Sequence, residues 1–155
     1  MIRHWQSTKT IPPSLYLTNV EDIKQLVCTW HTPIDENETS YSTYEAPKEL
    51  HAWIQQFFDF DVIVNYQIIH GQIPVHIDYG RTIYWNYIID TGGTNIVTRF
   101  WNLEETEIIQ EFECKLHEWY ELDVSQKHDV SYVEGYRIGL SVFKLEPNAP
   151  THPVY

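Results

Sequence analysis

Cysteine is scarce in this chain of 155 residues, which contains only Cys28 and Cys114. Two cysteines that form no Cys-x-x-Cys pair make neither a disulfide framework nor a zinc-finger pattern. No apolar run approaches the roughly 20 residues that a membrane-spanning helix needs, and the first residues have no secretory signal pattern. We therefore expect a cytoplasmic protein whose two thiols are reduced and mostly buried.

Basic residues are also scarce. The chain has ten Lys and Arg and 22 Asp and Glu, which gives a formal net charge of −12. Such a surface repels phosphate backbones and anionic lipids. We therefore expect a small-molecule or peptide substrate, no nucleic acid and no membrane. The charge balance favours a basic or zwitterionic substrate.

The motifs of several enzyme classes are missing, namely a phosphate-binding Gly-rich loop, a dinucleotide fingerprint and a Gly-x-Ser-x-Gly elbow. What remains is a globular composition, 43% hydrophobic and 15% aromatic, of a length that suits one core. We expect a single domain over 1–155. It divides into a helical N-terminal part (1–60), a β core (61–145) and a tail (146–155).

Helical spacing of apolar residues occurs only in the N-terminal part. A capping box at 18–21 precedes apolar residues at helical spacing over 20–27, and a stronger stripe follows over 47–58. The polar stretch 29–46 between them is typical of a long loop. These patterns predict two helices that pack on one sheet.

After residue 60 the apolar pattern alternates with a period of two, which is typical of short strands separated by turns. About eight evenly spaced strands favour a sandwich or a barrel. The strands are predicted at 62–69, 73–79, 83–90, 95–101, 106–112, 115–122, 127–133 and 136–144.

A possible metal site begins with His76 and Asp78, which are two residues apart in the predicted strand 73–79. Alternate residues of a strand share a face, so both side chains can reach one cation. His128 is the candidate third ligand. Two histidines and one carboxylate on one side of a metal form the facial triad of non-haem Fe(II) oxygenases, which leaves coordination positions open.

The last predicted strand carries a possible anion site. Ile138, Leu140 and Val142 form one face of it, so Arg137 and Ser141 lie on the other. A buried arginine is costly unless it meets an anion, and its guanidinium can bind a carboxylate through two parallel hydrogen bonds. Asn86 is a further candidate for the pocket lining. Arg81, Arg99, Trp101 and Tyr79 are candidates for its mouth.

The combination of His76-x-Asp78, a distant His128, Arg137 and Ser141 resembles the Fe(II)/2-oxoglutarate-dependent oxygenases over roughly residues 60–145. Within that superfamily the stretch 119–141 is most similar to the aspartyl/asparaginyl β-hydroxylases and prolyl-hydroxylase-like proteins. The aspartyl/asparaginyl enzymes typically lack the ligand carboxylate that Asp78 supplies here.

The resemblance implies a double-stranded β-helix, a jelly roll related to cupins. It implies that His76, Asp78 and His128 hold Fe(II) and that Arg137, with Ser141, binds the far carboxylate of 2-oxoglutarate. Asn86 would reach the cosubstrate or the substrate. The expected activity is hydroxylation of an amino acid or a peptide side chain with O₂.

Two other hypotheses stay open. A cupin-like domain can bind metal or serve a structural role without oxygenase activity, because fold does not determine function. Alternatively, Asp90-Thr91-Gly92 resembles the active-site turn of retroviral-type aspartic proteases, with Asp90 as the catalytic group. The same residues also make an ordinary turn.

Overall fold

A computed structural model describes residues 1–5, 9–33, 40–78 and 80–146, which form a mainly β structure. None of its described helices is both long enough and apolar enough to cross a membrane. The helices are α1 (Val20–Ile23) and α2 (Lys48–Gln55), with a 3-10 turn at Pro13–Leu15. The strands are β1 (Ile2–His4), β2 (Cys28–Pro33), β3 (Ser40–Glu45), β4 (Val62–His76), β5 (Ile83–Asp90), β6 (Thr98–Trp101), β7 (Ile108–Phe112), β8 (Trp119–Asp123) and β9 (His128–Lys144).

The two longest strands, β4 and β9, pair antiparallel with each other and belong to two sheets at once. Their segments 62–69 and 137–144 lie within a large sheet with the order β1-β8-β5-β9-β4-β3-β2. Their other ends, 73–76 and 128–130, form a smaller sheet with β6 and β7. One antiparallel strand pair that folds over to join two sheets is a double-stranded β-helix, so the predicted jelly roll is confirmed.

The strand pair folds over near Gly71 of β4. Gly71 has a φ of 78°, a conformation that strains any residue with a Cβ. The register between β4 and β9 shifts on both sides of Gly71, and such irregularities bend a strand. Because the bend interrupts each strand, the sequence predicted two strands where β4 is one and two where β9 is one.

Helix α2 covers the outer face of the large sheet. Its Leu50 and Ile54 are fully buried in one cluster with outward-facing residues of β4, β5 and β9. Burying each such side chain stabilises the fold by roughly 1.5–3 kcal/mol. The predicted buttressing helix is therefore confirmed. It ends at Gln55 and not at 58, because the Gln55 side chain donates to the Phe60 carbonyl and accepts from the Val62 N–H.

The prediction of a long loop over 29–46 is wrong. Strands β2 and β3 form an antiparallel pair there, and β3 pairs with β4 from Ser40–His70 to Glu45–Asn65. Polar residues are compatible with the strand pair because β2 lies at the edge of the sheet, where one strand face can remain exposed to solvent. Tyr41 supplies part of the buried side. Residues 34–39 lie outside the described ranges, as does most of the predicted tail.

The first predicted helix is much shorter than its apolar spacing suggested. Helix α1 covers only Val20–Ile23, and Asn19, not Thr18, caps it by accepting a hydrogen bond from the Glu21 N–H at 2.8 Å. Val27, predicted to lie on its apolar face, is 66% exposed. Four residues are too few for a helix to be stable by itself, so its position depends on the buried Ile23.

Candidate metal centre

His76 is the last residue of β4 and His128 is the first residue of β9, and the two are direct partners across the strand pair. Asp78 lies just beyond β4, where its backbone N–H donates to the Val124 carbonyl at 2.9 Å. One ligand atom from each of the three side chains lies within 4.8 Å of the others. The fold therefore brings the three predicted metal ligands to one point, although Asp78 leaves the strand on which the sequence placed it.

Both imidazoles are oriented by the backbone of their own strands. The Nδ1 atom of His76 lies 2.8 Å from the Pro74 carbonyl, and that of His128 lies 2.7 Å from the Gln126 carbonyl. A carbonyl only accepts, so each Nδ1 carries the proton and each Nε2 keeps its lone pair. This is how metal-binding histidines are usually oriented.

Burial keeps the charged forms of these groups unfavourable. It lowers the pKa of His76 to about 3, with a further contribution from the neighbouring His128, and it lowers the pKa of His128 as well. Burial also raises the pKa of Asp78 to about 7, against the opposing effect of the Arg81 charge. At neutral pH the imidazoles are uncharged, so their contacts with Asp78 are not ion pairs.

The donor set fits a divalent metal ion. His76 Nε2 lies 3.5 Å from Asp78 Oδ1, and His128 Nε2 lies 3.9 Å from Asp78 Oδ2, so one ion can bridge all three. Asp78 Oδ1 is buried and has no hydrogen-bond partner among the described residues. Burying such an atom costs folding free energy unless a cation or a hydrogen-bond donor contacts it. Two imidazoles and a carboxylate suit Fe(II) and related transition metals.

The three ligands line a cavity between the two sheets, with about 520 Å³ of empty space when its open mouth is included. Its walls are partly apolar, from Ile69, Ile73 and Val130, and partly polar. The polar lining residues include Gln67, Asn86, Thr98 and Arg137.

Arg137 points into this cavity from β9, as the strand pattern predicted. Ile138, Leu140 and Val142 pack in the outer cluster, which leaves Arg137 on the inner face, 8% exposed. None of the ion pairs among the described residues involves its guanidinium. Its neighbour is the buried thiol of Cys114, whose pKa burial raises. A buried cation without a carboxylate partner is a site that favours an anion.

Three polar side chains lie side by side across the centre of the large sheet, and we call them the polar row: Asn65, Ser141 and Asn86. Ser141 of β9 is the direct partner of both Asn65 on β4 and Asn86 on β5. Each has a buried oxygen without a hydrogen-bond partner. Asn86 borders the cavity, whereas Ser141 is not among its lining residues. Sequence reasoning missed Asn65, although it interrupts the apolar strand 62–69 on the same face as Gln67.

Arg99 and Trp101, two of the mouth residues predicted from the sequence, do not line the cavity. Arg99 binds Asp129 through two hydrogen bonds of 3.0 and 2.5 Å, and Trp101 donates to the same carboxylate at 3.2 Å. Asp129 is 1% exposed, so this is a structural ion pair that holds β6 to β9. Tyr79 lies outside the described residues.

Asp90 serves a turn. It is exposed, and its Oδ1 accepts a hydrogen bond from the Gly92 N–H at 2.9 Å. Gly92 has a φ of 78°, and a Cβ there would lie 2.4 Å from Val133 Cγ1, so the turn packs tightly on β9. This local role accounts for Asp-Thr-Gly without catalysis, and nothing in the described residues supports the aspartic protease hypothesis. The predicted thiols are both free, but Cys28 is exposed and only Cys114 is buried.

Comparison with known proteins gives similarity only among solved structures. No protein-family model and no curated protein matches the chain. The chain is similar to a Bacillus subtilis oxalate decarboxylase with Mn(II) centres, at 11% identity and a TM-score of 0.49, over 82% of this chain and 30% of that one. A mutant of the same enzyme gives 12% identity, a TM-score of 0.48, and 76% and 29% coverage. The chain thus spans less than a third of these structures, and likenesses this distant carry no argument about its activity.

Proposed function

We propose that this protein is an Fe(II)- and 2-oxoglutarate-dependent oxygenase that hydroxylates an amino acid or a peptide side chain. The supporting observation is the set of groups that share one cavity: two neutral imidazoles, a carboxylate and an arginine. The arginine takes part in none of the described ion pairs. The first three groups suit a metal that keeps open positions, and the fourth suits the far end of a dicarboxylate. When bound, iron and 2-oxoglutarate supply oxygen activation coupled to loss of CO₂ from the cosubstrate.

In this proposal, His76 and His128 bind the metal through Nε2 while their Nδ1 protons stay on the backbone carbonyls. Asp78 completes the set and releases its proton when the metal binds, since its pKa without metal is about 7. The three side chains line the cavity, so a metal ion held by them would be reached from the cavity.

Arg137 binds and orients the far carboxylate of 2-oxoglutarate from the inner face of β9. The apolar walls around it exclude water, which strengthens a charge-assisted hydrogen bond. Asn86 supplies a further hydrogen-bonding oxygen at the cavity wall, and this oxygen has no partner among the described residues. In this proposal Asn86 positions the cosubstrate or the substrate against the metal, and Ser141, its direct strand partner, positions Asn86.

The test is an anaerobic titration of the metal-free protein with Fe(II), followed by 2-oxoglutarate. We expect one Fe(II) per chain and then a metal-to-ligand charge-transfer band, followed by succinate formation once O₂ is admitted. Asp78→Ala should lose all three signals, while the exposed-site variant Asp59→Ala should keep them. Consumption of 2-oxoglutarate that persists in Asp78→Ala would contradict the proposal.

A metal-binding jelly roll without oxygenase activity is the second candidate. The observation that favours it is the position of Ser141, which is the expected helper of Arg137 but does not line the cavity. Such a protein would bind Fe(II) or Ni(II) with the same three ligands. It would show no spectral change when 2-oxoglutarate is added, so the titration distinguishes the two candidates.

A further inference from the structure

A second groove opens beside the metal cavity, and we call it the Arg81 groove. Among its lining residues are Arg81 and Lys144, the aromatic rings of Phe60, Trp85 and Phe143, and Glu146 at the rim. It has about 600 Å³ of empty space when its mouth is included. It thus combines an apolar bed with charged groups, as small-molecule sites do.

Two cations face this groove in a chain that has only ten Lys and Arg against 22 acids. Neither Arg81 nor Lys144 takes part in an ion pair within the described part of the chain. Among the described residues that line the groove, Glu146 is the one acidic residue, which leaves an excess of positive charge there. The groove therefore has the opposite sign to the protein as a whole.

Arg81 is held in place before any ligand arrives. It donates to the Tyr84 hydroxyl at 2.7 Å, and its guanidinium lies 3.7 Å from the centroid of the Phe143 ring. A guanidinium held in place by these two contacts is well suited to bind a carboxylate.

The aromatic lining suits an apolar body attached to that carboxylate. Lys144 Nζ lies 5.3 Å from the centroid of the Phe60 ring, so the second cation sits at the edge of the aromatic surface. The Trp85 ring is fixed because its Nε1 donates to Glu121 at 3.0 Å. An anionic group with an adjoining ring or alkyl chain would contact both features at once.

Arg81 also connects this groove to the metal cavity. Its backbone N–H donates to the Asp78 carbonyl at 3.4 Å, and its hydrogen-bond partner Tyr84 lines the metal cavity. These two contacts connect the Arg81 groove to a proposed metal ligand and to one wall of the metal cavity. A substrate site for the proposed reaction needs such a connection to the metal centre.

We propose that the Arg81 groove binds the carboxylate of an aromatic or apolar organic acid, which is the primary substrate. The role of this acid as the substrate depends on the proposed oxygenase function, whereas its binding to the groove does not. The local charge thus reverses the expectation of a basic substrate from the net charge of −12. The net charge affects how a charged ligand approaches the protein from a distance, whereas the groups in the groove determine which ligand binds.

The experiment uses 3-phenylpropionate and its uncharged amide as probes of the metal-free full chain, with binding followed by saturation-transfer NMR. We expect the acid to bind about tenfold more tightly than the amide. Lys144→Gln should weaken binding of the acid about threefold, which is the size of a partly exposed charge pair. Lys115→Gln removes the same charge from an exposed site elsewhere and should leave the affinity unchanged.

Equal affinities for acid and amide, or equal effects of Lys144→Gln and Lys115→Gln, would overturn the binding site. Neither result depends on a metal, so a failure of the oxygenase proposal would not be mistaken for a failure here. In protein shown to hold Mn(II), the bound acid should also show paramagnetic line broadening. Binding without broadening would overturn the assignment of the acid as the substrate.

Discussion

His76 and His128 are direct strand partners whose ring centroids lie 4.3 Å apart, although four complete strands separate them in the chain. The pairing is possible because β4 and β9 run side by side through both sheets. Each ring is oriented by the carbonyl two residues before it, at Pro74 and Gln126. The candidate metal centre thus lies at the paired ends of the two longest strands.

Without metal, Asp78 should destabilise the protein at high pH. Burial raises its pKa from 3.8 to about 7, so folding is penalised once the carboxylate ionises, and the penalty fades as the pH falls toward the unfolded value. We expect metal-free Asp78→Asn to be more stable than the wild type at pH 8, by up to about 4 kcal/mol. The gain should shrink between pH 8 and pH 5 in urea unfolding experiments.

Asp59→Asn is the matched control, because it makes the same change at an exposed aspartate. It should alter the free energy of unfolding little at either pH. A gain for Asp78→Asn that is the same at pH 5 and pH 8 would mean that the buried carboxylate is not the cause.

Metal binding should release about one proton at pH 5 and almost none at pH 8.5. At pH 5 Asp78 is protonated and must lose its proton, whereas the His76 imidazole, with a pKa of about 3, is already neutral. Calorimetric titration of Ni(II) in buffers of different ionisation enthalpy counts these protons. Histidines with ordinary pKa values near 6.5 would release about two further protons at pH 5, and a total near three would contradict the described environment.

Arg137→Met and Arg99→Met should separate a ligand-binding arginine from a structural one. Arg137→Met removes a buried charge that no described carboxylate pairs with, so the free energy of unfolding should stay the same or rise. Binding of 2-oxoglutarate to the Ni(II)-loaded protein should weaken at least tenfold. Metal affinity should change much less.

Arg99→Met should behave in the opposite way. It leaves the carboxylate of Asp129 buried and without its cation, which costs about 3–5 kcal/mol. Its 2-oxoglutarate affinity, measured below the unfolding transition, should be close to that of the wild type. A large loss of stability in Arg137→Met would instead make Arg137 a structural residue.

Ser141→Ala tests the polar row. The Ser141 hydroxyl has no hydrogen-bond partner among the described residues, so its removal should change the free energy of unfolding by less than about 1 kcal/mol. Because Ser141 does not line the cavity but is the strand partner of Asn86, which does, its removal should weaken 2-oxoglutarate binding severalfold through Asn86. Thr43→Val is the comparison, because Thr43 Oγ1 lies 2.6 Å from Thr29 Oγ1 and its loss breaks a formed hydrogen bond. It should cost about 1 kcal/mol of stability and leave ligand binding unchanged. Unchanged 2-oxoglutarate binding in Ser141→Ala would remove Ser141 from the site.

The local pattern of apolar residues predicted the following features correctly, because one face of each element is buried. The strand 83–90 was predicted with the bounds that β5 has, and the alternation of Ile138, Leu140 and Val142 correctly gave the inward face of β9. Pattern failed where the buried side depends on distant partners. The hairpin of β2 and β3 is polar in sequence and becomes a strand pair only because β4 offers it an edge.

The alternation in the sequence by itself indicated a sandwich or a barrel, and residue chemistry singled out His76, Asp78, His128 and Arg137. The jelly roll was implied by the resemblance that those residues carry. Only the tertiary structure decided that the three ligands meet and that Arg137 has no described carboxylate partner. It also decided that Asn65 joins Ser141 and Asn86 and that Arg81 faces a groove of its own. Burial and partnership arise from contacts between residues far apart in the chain, and no local pattern encodes them.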